Sequence, residues 1–294
     1  MYGMLMWTEK GKRAVELKQE EILRVPFLCA AVRRAPRMPE SLLRRRVKKA
    51  LGMLRKQGIG RIVTPRDFIW QEELRQYGIS PVTTLALRRE LAAEWMDAAL
   101  LARGTYPAGT KAAVYAHEIT GELVQTVTEL SLRHRYVVLC VKRGGEELAR
   151  RLRREYGVSL ELARSGAELE GTGAVAAFAP LEGVEHPLVL RLYDEQQPLP
   201  ELSLPVEIAA QLPRGVPREQ VLAVLRETGR VRKGEISIPL PVFGADKEGK
   251  APLTFPEGTS IILDCHNGET MGKSRHFPLK RYVKGLPTWK KNTE

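Results

Sequence analysis

The chain alternates between short apolar runs, which predict β-strands, and longer segments with an apolar residue at every third or fourth position, which predict helices. The predicted strands cover residues 27–32, 61–64, 112–116, 136–141, 159–163, 174–179 and 188–192. The predicted helices cover residues 12–23, 41–57, 70–77, 82–103, 122–134, 145–156 and 217–227. Strands that alternate with helices through short connections are typical of parallel, doubly wound sheets.

This pattern predicts the α/β class, with a Rossmann-like parallel sheet domain preceded by a smaller α/β unit and followed by an irregular C-terminal extension. A long helix that leads into a dinucleotide-type domain resembles the two-lobed dehydrogenases in outline, a likeness of fold that assigns no function. The predicted divisions are a polar helical arm (1–25), the α/β unit with its connecting helix (26–103), the Rossmann-like domain (104–195), the irregular extension (196–270) and a basic tail (271–294).

The alternation of strands and helices ends near residue 196, where prolines begin to interrupt the chain. Short strands are predicted at 231–238 and 260–265. Asn267-Gly268 is a typical hairpin turn between apolar flanks.

The formal net charge of +12 belongs to the two ends of the chain. Residues 1–60 contain fifteen Lys/Arg and five Glu, and residues 271–294 contain seven Lys/Arg and one Glu, so the middle of the chain is slightly acidic. Basic ends fit a nucleic-acid-associated protein, because neutralised phosphates supply most non-specific affinity. The residues for such contacts are Arg44, Arg45, Arg46, Lys48, Lys49, Lys280, Arg281 and Trp289. The alternative is that the run over 44–49 is the solvated face of an amphipathic helix.

Composition and cysteine usage indicate a globular protein of the cytoplasm. Hydrophobic residues make up 43% of the chain and charged residues 28%, and no uncharged apolar run reaches the roughly 18 residues of a membrane span. The apolar start of the chain lacks the basic region of a signal peptide. Cys29, Cys140 and Cys265 are odd in number and far apart, which argues against a disulfide framework and for a reducing compartment.

Ligands of open parallel sheets bind beyond the carboxyl ends of the strands, so the loops after the predicted strands form the candidate binding cleft. The ligand-binding residues predicted there are His117, Glu118, Thr120, Gly121, Lys142, Arg143, Gly144, Arg66 and Asp67. Lys142 and Arg143 are the cations for a phosphorylated ligand. Asp67 has an alternative role as the N-cap of the following helix. Glu146 and Glu147 favour ordinary helix-start chemistry after Gly144.

An NADP-binding loop is the alternative interpretation of this cleft. Lys142-Arg143 follow the first loop by about twenty residues, as in domains that recognise the 2′-phosphate of NADP. The loop from His117 to Gly121 has one glycine where the dinucleotide pattern G-x-G-x-x-G has three. Gly171-Thr172-Gly173 matches that pattern better, but it precedes a predicted strand instead of a helix.

No catalytic set emerges from the sequence. The five histidines are dispersed without metal-ligand spacing, and neighbouring Cys265 and His266 pair poorly because adjacent strand residues face opposite sides. Neither a nucleophile elbow nor a phosphate-binding P-loop is present. The favoured hypothesis is a non-catalytic Rossmann-like protein that binds a small-molecule or nucleotide ligand or acts as a regulator. The alternatives are a nucleic-acid-associated protein with basic termini and an NADP-dependent oxidoreductase with an atypical phosphate loop.

Overall fold

The computed structural model describes residues 1–11, 13–182 and 185–240, and the backbone of the strands Lys250–Thr254 and Ser260–Asp264. The chain divides into two units, Met1–Pro241 and Val242–Glu294. In the second unit the two strands pair antiparallel, and Ser260–Asp264 confirms the strand predicted at 260–265. Asn267-Gly268 and the basic tail lie outside the described residues. The first unit contains two five-stranded sheets.

The first sheet places an apolar strand in its middle. Its strands are Tyr2–Thr8 (β1), Val15–Ile22 (β2), Val25–Arg33 (β3), Arg61–Val63 (β4) and Ser80–Pro81 (β5). Their order is β2-β3-β1-β4-β5, with β2 antiparallel at the edge and the other four parallel. Met4 of β1 lies opposite Cys29 of β3 and Val63 of β4, and all three are buried. The strands predicted at 27–32 and 61–64 are confirmed.

The helix predicted over 12–23, within the polar helical arm, is wrong, because these residues contain the hairpin strand β2. Val15 and Ile22 are buried at its two ends, and polar side chains occupy most positions between them. Leu23 and Arg24 make the turn to β3 with φ values of 48° and 63°. Turns of this kind usually contain Asn or Gly, so the sequence offers no turn signal at this point.

The helices Glu40–Lys56 (α1) and Gln71–Gln76 (α2) pack on one face of the first sheet. The buried residues of α1 are Leu43, Val47, Ala50, Leu51 and Leu54. Their spacing of three or four is that of the predicted amphipathic helix, and they contact Leu5, Ala30 and Ile62 of the sheet. The basic side chains of α1 consequently lie on its outer side.

The long helix predicted over 82–103 is interrupted at one residue. The structure has helices Leu85–Glu90 (α3) and Ala92–Ala102 (α4), and Leu91 between them has φ −93° and ψ 5°. Backbone hydrogen bonds continue through the interruption, from the Leu91 N–H to Leu87 O (3.1 Å) and from the Trp95 N–H to Leu91 O (2.9 Å). The prediction of a single helix is wrong, and neither Pro nor Gly marks the break.

The second sheet has the strand order of a Rossmann fold. Its strands are Lys111–Ala116 (β6), Tyr136–Val141 (β7), Leu160–Ala163 (β8), Ala174–Ala177 (β9) and Val189–Arg191 (β10). All pairs are parallel, in the order β8-β7-β6-β9-β10. If β6 to β10 are renumbered 1 to 5, the strands lie in the order 3-2-1-4-5, which is the doubly wound pattern. The predicted α/β, Rossmann-like fold and the five strands predicted between 112 and 192 are confirmed.

The helices Gly121–Arg133 (α5) and Gly145–Tyr156 (α6) join the first three strands of this sheet, as predicted. Together with α4 they cover one face, and a single hydrophobic cluster runs from Phe27 of the first sheet to Leu139 of the second. The opposite face buries the side chains of Ala113, Val138 and Val175. On that face a short 3-10 helix, Gly166–Leu169, joins β8 to β9 in place of an α-helix.

After β10 the first unit contains two further helices, Val206–Ala209 (α7) and Arg218–Glu227 (α8). The second confirms the helix predicted at 217–227. The strand predicted at 231–238 is wrong, because the carboxylate of Glu235 accepts a hydrogen bond from the Arg232 N–H (2.6 Å) and closes a 3-10 turn. The divisions proposed at 103/104 and 195/196 stay predictions.

Three successive side chains of α3 bond to three different parts of the first unit. Arg88 is buried and donates hydrogen bonds to two backbone carbonyls in the loop after β10. Arg89 pairs with Glu122 in the first turn of α5 at 2.6 Å. Glu90 accepts hydrogen bonds from Arg226 of α8 through both carboxylate oxygens. The short helix α3 therefore connects elements of both sheets.

Candidate functional site

The carboxyl edge of the second sheet contains a switch point, because the chain leaves β6 for β7 on one side and later places β9 on the other. His117 follows β6, Lys142 follows β7 and Glu182 lies in the loop after β9. The Oε1 atom of Glu182 is 3.5 Å from His117 Nε2 and 3.9 Å from Lys142 Nζ. Three loops therefore bring an imidazole, an ammonium and a carboxylate together where doubly wound sheets bind ligands. The sequence predicted the first two residues and missed Glu182.

The loop after β6 is occupied by hydrogen bonds of the chain itself. The hydroxyl of Thr120 accepts a hydrogen bond from the Leu123 N–H (3.2 Å) and caps α5. Glu122 adds a carboxylate to the first turn of α5, and Arg89 neutralises it. Glu118 is exposed, and Gly121 begins α5 with open space around its Cα hydrogens. The amino end of α5 therefore already has one capped N–H group and a carboxylate in its first turn, and both disfavour a phosphate there.

The loop after β7 is packed against the loop after β6. Gly144 has φ +81°, and a Cβ atom there would lie 2.8 Å from Cδ1 of Ile119. The side chain of Ile119 therefore fills space beside the glycine that precedes α6. Glu146 and Glu147 occupy the first turn of α6, where they repel an anionic ligand. These features differ from a glycine-rich loop that lets the backbone approach a pyrophosphate.

The Gly171-Thr172-Gly173 segment has a structural explanation. It precedes β9 and does not open a helix. A Cβ atom at Gly173 would lie 2.1 Å from Cγ2 of Thr110, so close packing requires the glycine. The hydroxyl of Thr172 donates a hydrogen bond to Leu169 O (2.7 Å) within the preceding turn.

Arg89 also reaches the carboxyl edge of the second sheet, and the sequence pattern gave no sign of it. Its guanidinium carbon lies 5.7 Å from the ring centroid of Phe178, which follows β9. Its Nε donates a hydrogen bond to the backbone oxygen of Leu192, which follows β10 (3.3 Å). Together with the pair to Glu122, these contacts hold α3 against the side of the switch point formed by β9 and β10.

Asp67 and Arg66 lie at the carboxyl edge of the first sheet. Asp67 accepts hydrogen bonds from Trp7 Nε1 (2.6 Å) and from Arg34. Burial raises the pKa of the Asp67 carboxyl, but these two hydrogen bonds outweigh it and leave the pKa below its ordinary value. The alternative role of Asp67 as a helix cap is wrong, because α2 follows Trp70 and has no side-chain cap. Arg66 is exposed and lines a cavity.

The predicted ligand-binding residues therefore lie at two sheet edges. Within residues 1–11, 13–182 and 185–240, no hydrogen bond or ion pair joins Arg66 or Asp67 to the loops after β6 and β7. Ligand binding by either group stays a prediction.

The basic residues proposed for nucleic acid differ in their surroundings. Arg44 pairs with buried Glu73 of α2, and Arg46 Nη1 donates a hydrogen bond to Arg33 O (2.6 Å). Arg45 and Lys49 are exposed on the outer side of α1, and Lys48 is half-buried. Lys280, Arg281 and Trp289 lie outside the described residues. The alternative interpretation, an amphipathic helix with a solvated basic face, therefore accounts for the five basic residues of this set that lie in α1.

The ion pair between Arg44 and Glu73 makes the free energy of unfolding depend on pH in the acid range. Burial raises the pKa of Glu73, but the hydrogen bond from Arg44, a backbone hydrogen bond and the charge of Arg44 together bring it below its ordinary value of 4.5. A carboxyl group whose pKa is lower in the folded than in the unfolded protein stabilises the fold at every pH above its unfolded-state pKa. This stabilisation is lost as the pH falls through its folded-state pKa. Glu73→Gln is expected to remove this part of the acid dependence, measured by urea unfolding between about pH 7 and pH 3.

Glu72→Gln is the matched control for this prediction. Glu72 is exposed on the same helix and pairs with Arg75 only at 3.6 Å, so its replacement should leave the acid dependence nearly unchanged. Identical slopes of unfolding free energy against pH in the wild type and Glu73→Gln would contradict the assignment.

Other chemistry is limited in the part of the chain that the structure describes. That part has no group of three or more His, Cys, Asp or Glu side chains suited to a metal ion, and none of its helices is long and apolar enough to cross a membrane. Cys29 and Cys140 are free and buried. Burial raises the pKa of Cys29 to about 12 and also raises that of Cys140, so both stay protonated thiols near neutral pH.

Comparison with known proteins adds little to this description. No family model and no curated protein sequence matches the chain. Similar solved structures include D-mandelate dehydrogenase from Rhodotorula graminis, with 10% identity over 78% of this chain and 79% of that one, at a TM-score of 0.30. A dipicolinate synthase component from Bacillus halodurans has 13% identity over 44% of this chain and 46% of that one, also at 0.30.

A D-lactate dehydrogenase from Treponema pallidum has 10% identity over 46% of either chain, at a TM-score of 0.27. This chain thus spans about half the length of the first two D-lactate dehydrogenases compared, with 46% and 48% of their chains covered. At these scores the likenesses carry no argument about ligand or activity. The Rossmann-like fold rests on the strand order of the second sheet.

Proposed function

We propose that the chain is a non-catalytic Rossmann-like ligand-binding or regulatory protein of the cytoplasm, with its ligand at the switch point of the second sheet. The observation that carries the proposal is the convergence of His117, Lys142 and Glu182 from three different loops. A few converging polar groups at a switch point are typical of ligand sites in doubly wound sheets. The cytoplasmic location rests on the cysteine usage alone.

The charges at this edge favour a small molecule with both an anionic group and a hydrogen-bond donor. Arg143 is exposed and has no ion pair or hydrogen bond within the described ranges, so it is available for a ligand phosphate or carboxylate. Glu182 can accept a hydrogen bond from a ligand hydroxyl or amine. An anionic ligand can bind Lys142 only by competing with Glu182. A nucleotide is one ligand with this combination of groups.

The surroundings of His117 support a binding role without catalysis. Its ring contacts Tyr115 edge-on at 5.9 Å and pairs with Glu182, and no Ser, Thr or Cys among the described residues is hydrogen-bonded to it. The NADP-dependent alternative has less support, because Ile119 fills space beside Gly144 and carboxylates occupy both helix starts. The nucleic-acid alternative has less support as well, because Arg44 and Arg46 are engaged within the protein.

A charge-matched pair of variants tests the binding site. In Lys142→Ala/Arg143→Ala, the affinity for ADP or NADP⁺ is expected to fall about tenfold or more, since hydrogen bonds to charged groups contribute roughly 1.5–3 kcal/mol each. Isothermal titration calorimetry of the full chain measures the change. Arg153→Ala/Arg154→Ala removes the same charge from exposed positions at the other end of α6 and should leave the affinity nearly unchanged.

The same titrations contain the results that would contradict the proposal. Equal affinities in both double variants would remove Lys142 and Arg143 from the site. Consumption of NADPH by the wild-type chain with a 2-oxo acid would overturn the non-catalytic assignment and favour the oxidoreductase alternative.

A further inference from the structure

The cavity lined by Arg66 lies at the carboxyl edge of the first sheet, in a region that the proposed function does not use. Its volume is about 450 Å³. One wall is formed by Arg66 and Asp67, which follow β4, and the other by residues 209–218, which connect α7 to α8. Ligand pockets of metabolite size begin at roughly 300 Å³, so this cavity has room for more than a bare ion.

Three arginines line this cavity: Arg66, Arg214 and Arg218. All three are exposed, and none of their side chains has a hydrogen bond, ion pair or aromatic contact among the described residues. The neighbouring carboxylate does not neutralise them, because Asp67 already binds Arg34 and Trp7. The cavity therefore combines three guanidinium groups whose donors are available to a ligand.

The structure fixes the relative position of the two walls. The Thr64 N–H at the end of β4 donates a hydrogen bond to Oε1 of Gln220 in α8 (2.9 Å). Arg61 at the start of β4 binds both carboxylate oxygens of Glu227 at the end of α8 (2.6 and 2.7 Å). Both ends of α8 are thus tied to β4. A site held in place before binding loses less entropy when its ligand arrives.

The segment that carries Arg214 is also anchored. Leu212 and Val216 on either side of it are buried in the core, and Gly215 between them adopts φ +86°. The tight turn at Gly215 places Arg214 at the surface between two buried anchors. Arg218 is the first residue of α8, whose amino end has no side-chain cap and so favours an anion nearby.

We propose that this cavity binds a small phosphorylated metabolite, with Arg66, Arg214 and Arg218 as the residues that bind its phosphate groups. Planar guanidinium groups bind phosphate oxygens in pairs, and three of them match the charge of a diphosphate or of two phosphate monoesters. This site does not depend on the ligand proposed for the second sheet.

Pyrophosphate is the probe for the site, titrated calorimetrically into the full chain at constant ionic strength beside inorganic phosphate and acetate. We expect pyrophosphate to bind more tightly than phosphate, and acetate to bind least. Each of Arg66→Gln, Arg214→Gln and Arg218→Gln should weaken pyrophosphate about tenfold or more. The triple variant should remove the tightest pyrophosphate binding while keeping the wild-type melting temperature, because all three side chains are exposed.

Two control variants distinguish binding in this cavity from binding elsewhere on the basic surface. Arg150→Gln/Arg153→Gln/Arg154→Gln removes the same number of charges from the outer side of α6 and should keep wild-type affinity. In the Lys142→Ala/Arg143→Ala background, which disables the switch point of the second sheet, the three arginine substitutions should still weaken pyrophosphate as they do in the wild type, and this separates the cavity from that site.

Three results would overturn the proposal. One is the absence of pyrophosphate binding to the wild-type chain at millimolar concentration. Another is an equal loss in the triple variant and in the α6 control, which would indicate general electrostatic attraction. The third is a triple variant that loses binding to a single-stranded oligonucleotide but not to pyrophosphate, which would make these arginines a nucleic-acid surface. If the triple variant does not fold, Arg214→Gln alone decides by the same criteria.

Discussion

Val138→Asp is expected to unfold the second sheet and most of the first unit with it. Val138 lies in the middle of β7, is 2% exposed and packs on the face that contains Ala113 and Val175. A buried carboxylate without a partner costs several kcal/mol, which is comparable to the whole stability of a typical domain. The expected measurement is the loss of a cooperative melting transition by circular dichroism.

Tyr136→Asp provides the control in the same strand. Tyr136 is two residues before Val138 and is 46% exposed, so an aspartate there stays hydrated. Its melting temperature should fall far less than that of Val138→Asp. Equal melting temperatures for Val138→Asp and the wild type would show that β7 is not buried on this face.

Arg88→Ala is expected to destabilise the first unit by about 3–5 kcal/mol, because it removes two hydrogen bonds from a charged donor, each worth roughly 1.5–3 kcal/mol. The Arg88 guanidinium donates hydrogen bonds to the backbone oxygens of Glu195 (2.9 Å) and Gln197 (2.6 Å) and lies 5.9 Å from the ring centroid of Trp95. Alanine leaves these carbonyls without their donor and opens a space beside the ring. Denaturant unfolding of both proteins measures the difference.

Arg75→Ala is the comparison for this substitution. Arg75 is exposed on α2 and has one ion pair, 3.6 Å from Glu72, so its loss should change the free energy of unfolding by less than about 1 kcal/mol. If Arg88→Ala lowers the free energy of unfolding no more than Arg75→Ala does, the loop after β10 holds its position without the hydrogen bonds from Arg88.

The elements that the sequence predicted best are those with strong local signals at both ends. The strand at 136–141 is an uncharged run, and the helix that follows it lies between Gly144 and Gly157, which both adopt the left-handed conformation that favours glycine. The strand Val15–Ile22 has no such signals. Charged side chains face solvent along it, and Leu23-Arg24 form a turn that other residues usually make. Pairing with β3 provides its stability, and a local pattern cannot show that.

The residues of the candidate sites also differ in how far local sequence signals could predict them. His117 and Lys142 were predictable because each directly follows an apolar strand. Glu182 and Arg89 were not, because they reach the switch point from a loop and from a helix of the preceding α/β unit. The three arginines of the cavity at the first sheet were only partly predictable. Arg66 follows a predicted strand, whereas Arg214 and Arg218 belong to a proline-rich segment whose path across the sheet edge depends on the docking of α8.

The three bonded side chains of α3 determine how the first unit comes apart. The helix has six residues, too few to persist alone in water, and its neighbours hold it through Arg88, Arg89 and Glu90. Loss of α3 would release the loop after β10, the start of α5 and the end of α8 together, and it would open the hydrophobic cluster shared by both sheets. We therefore expect the two sheets to unfold as one cooperative block, in which neither retains its native packing after the other has unfolded.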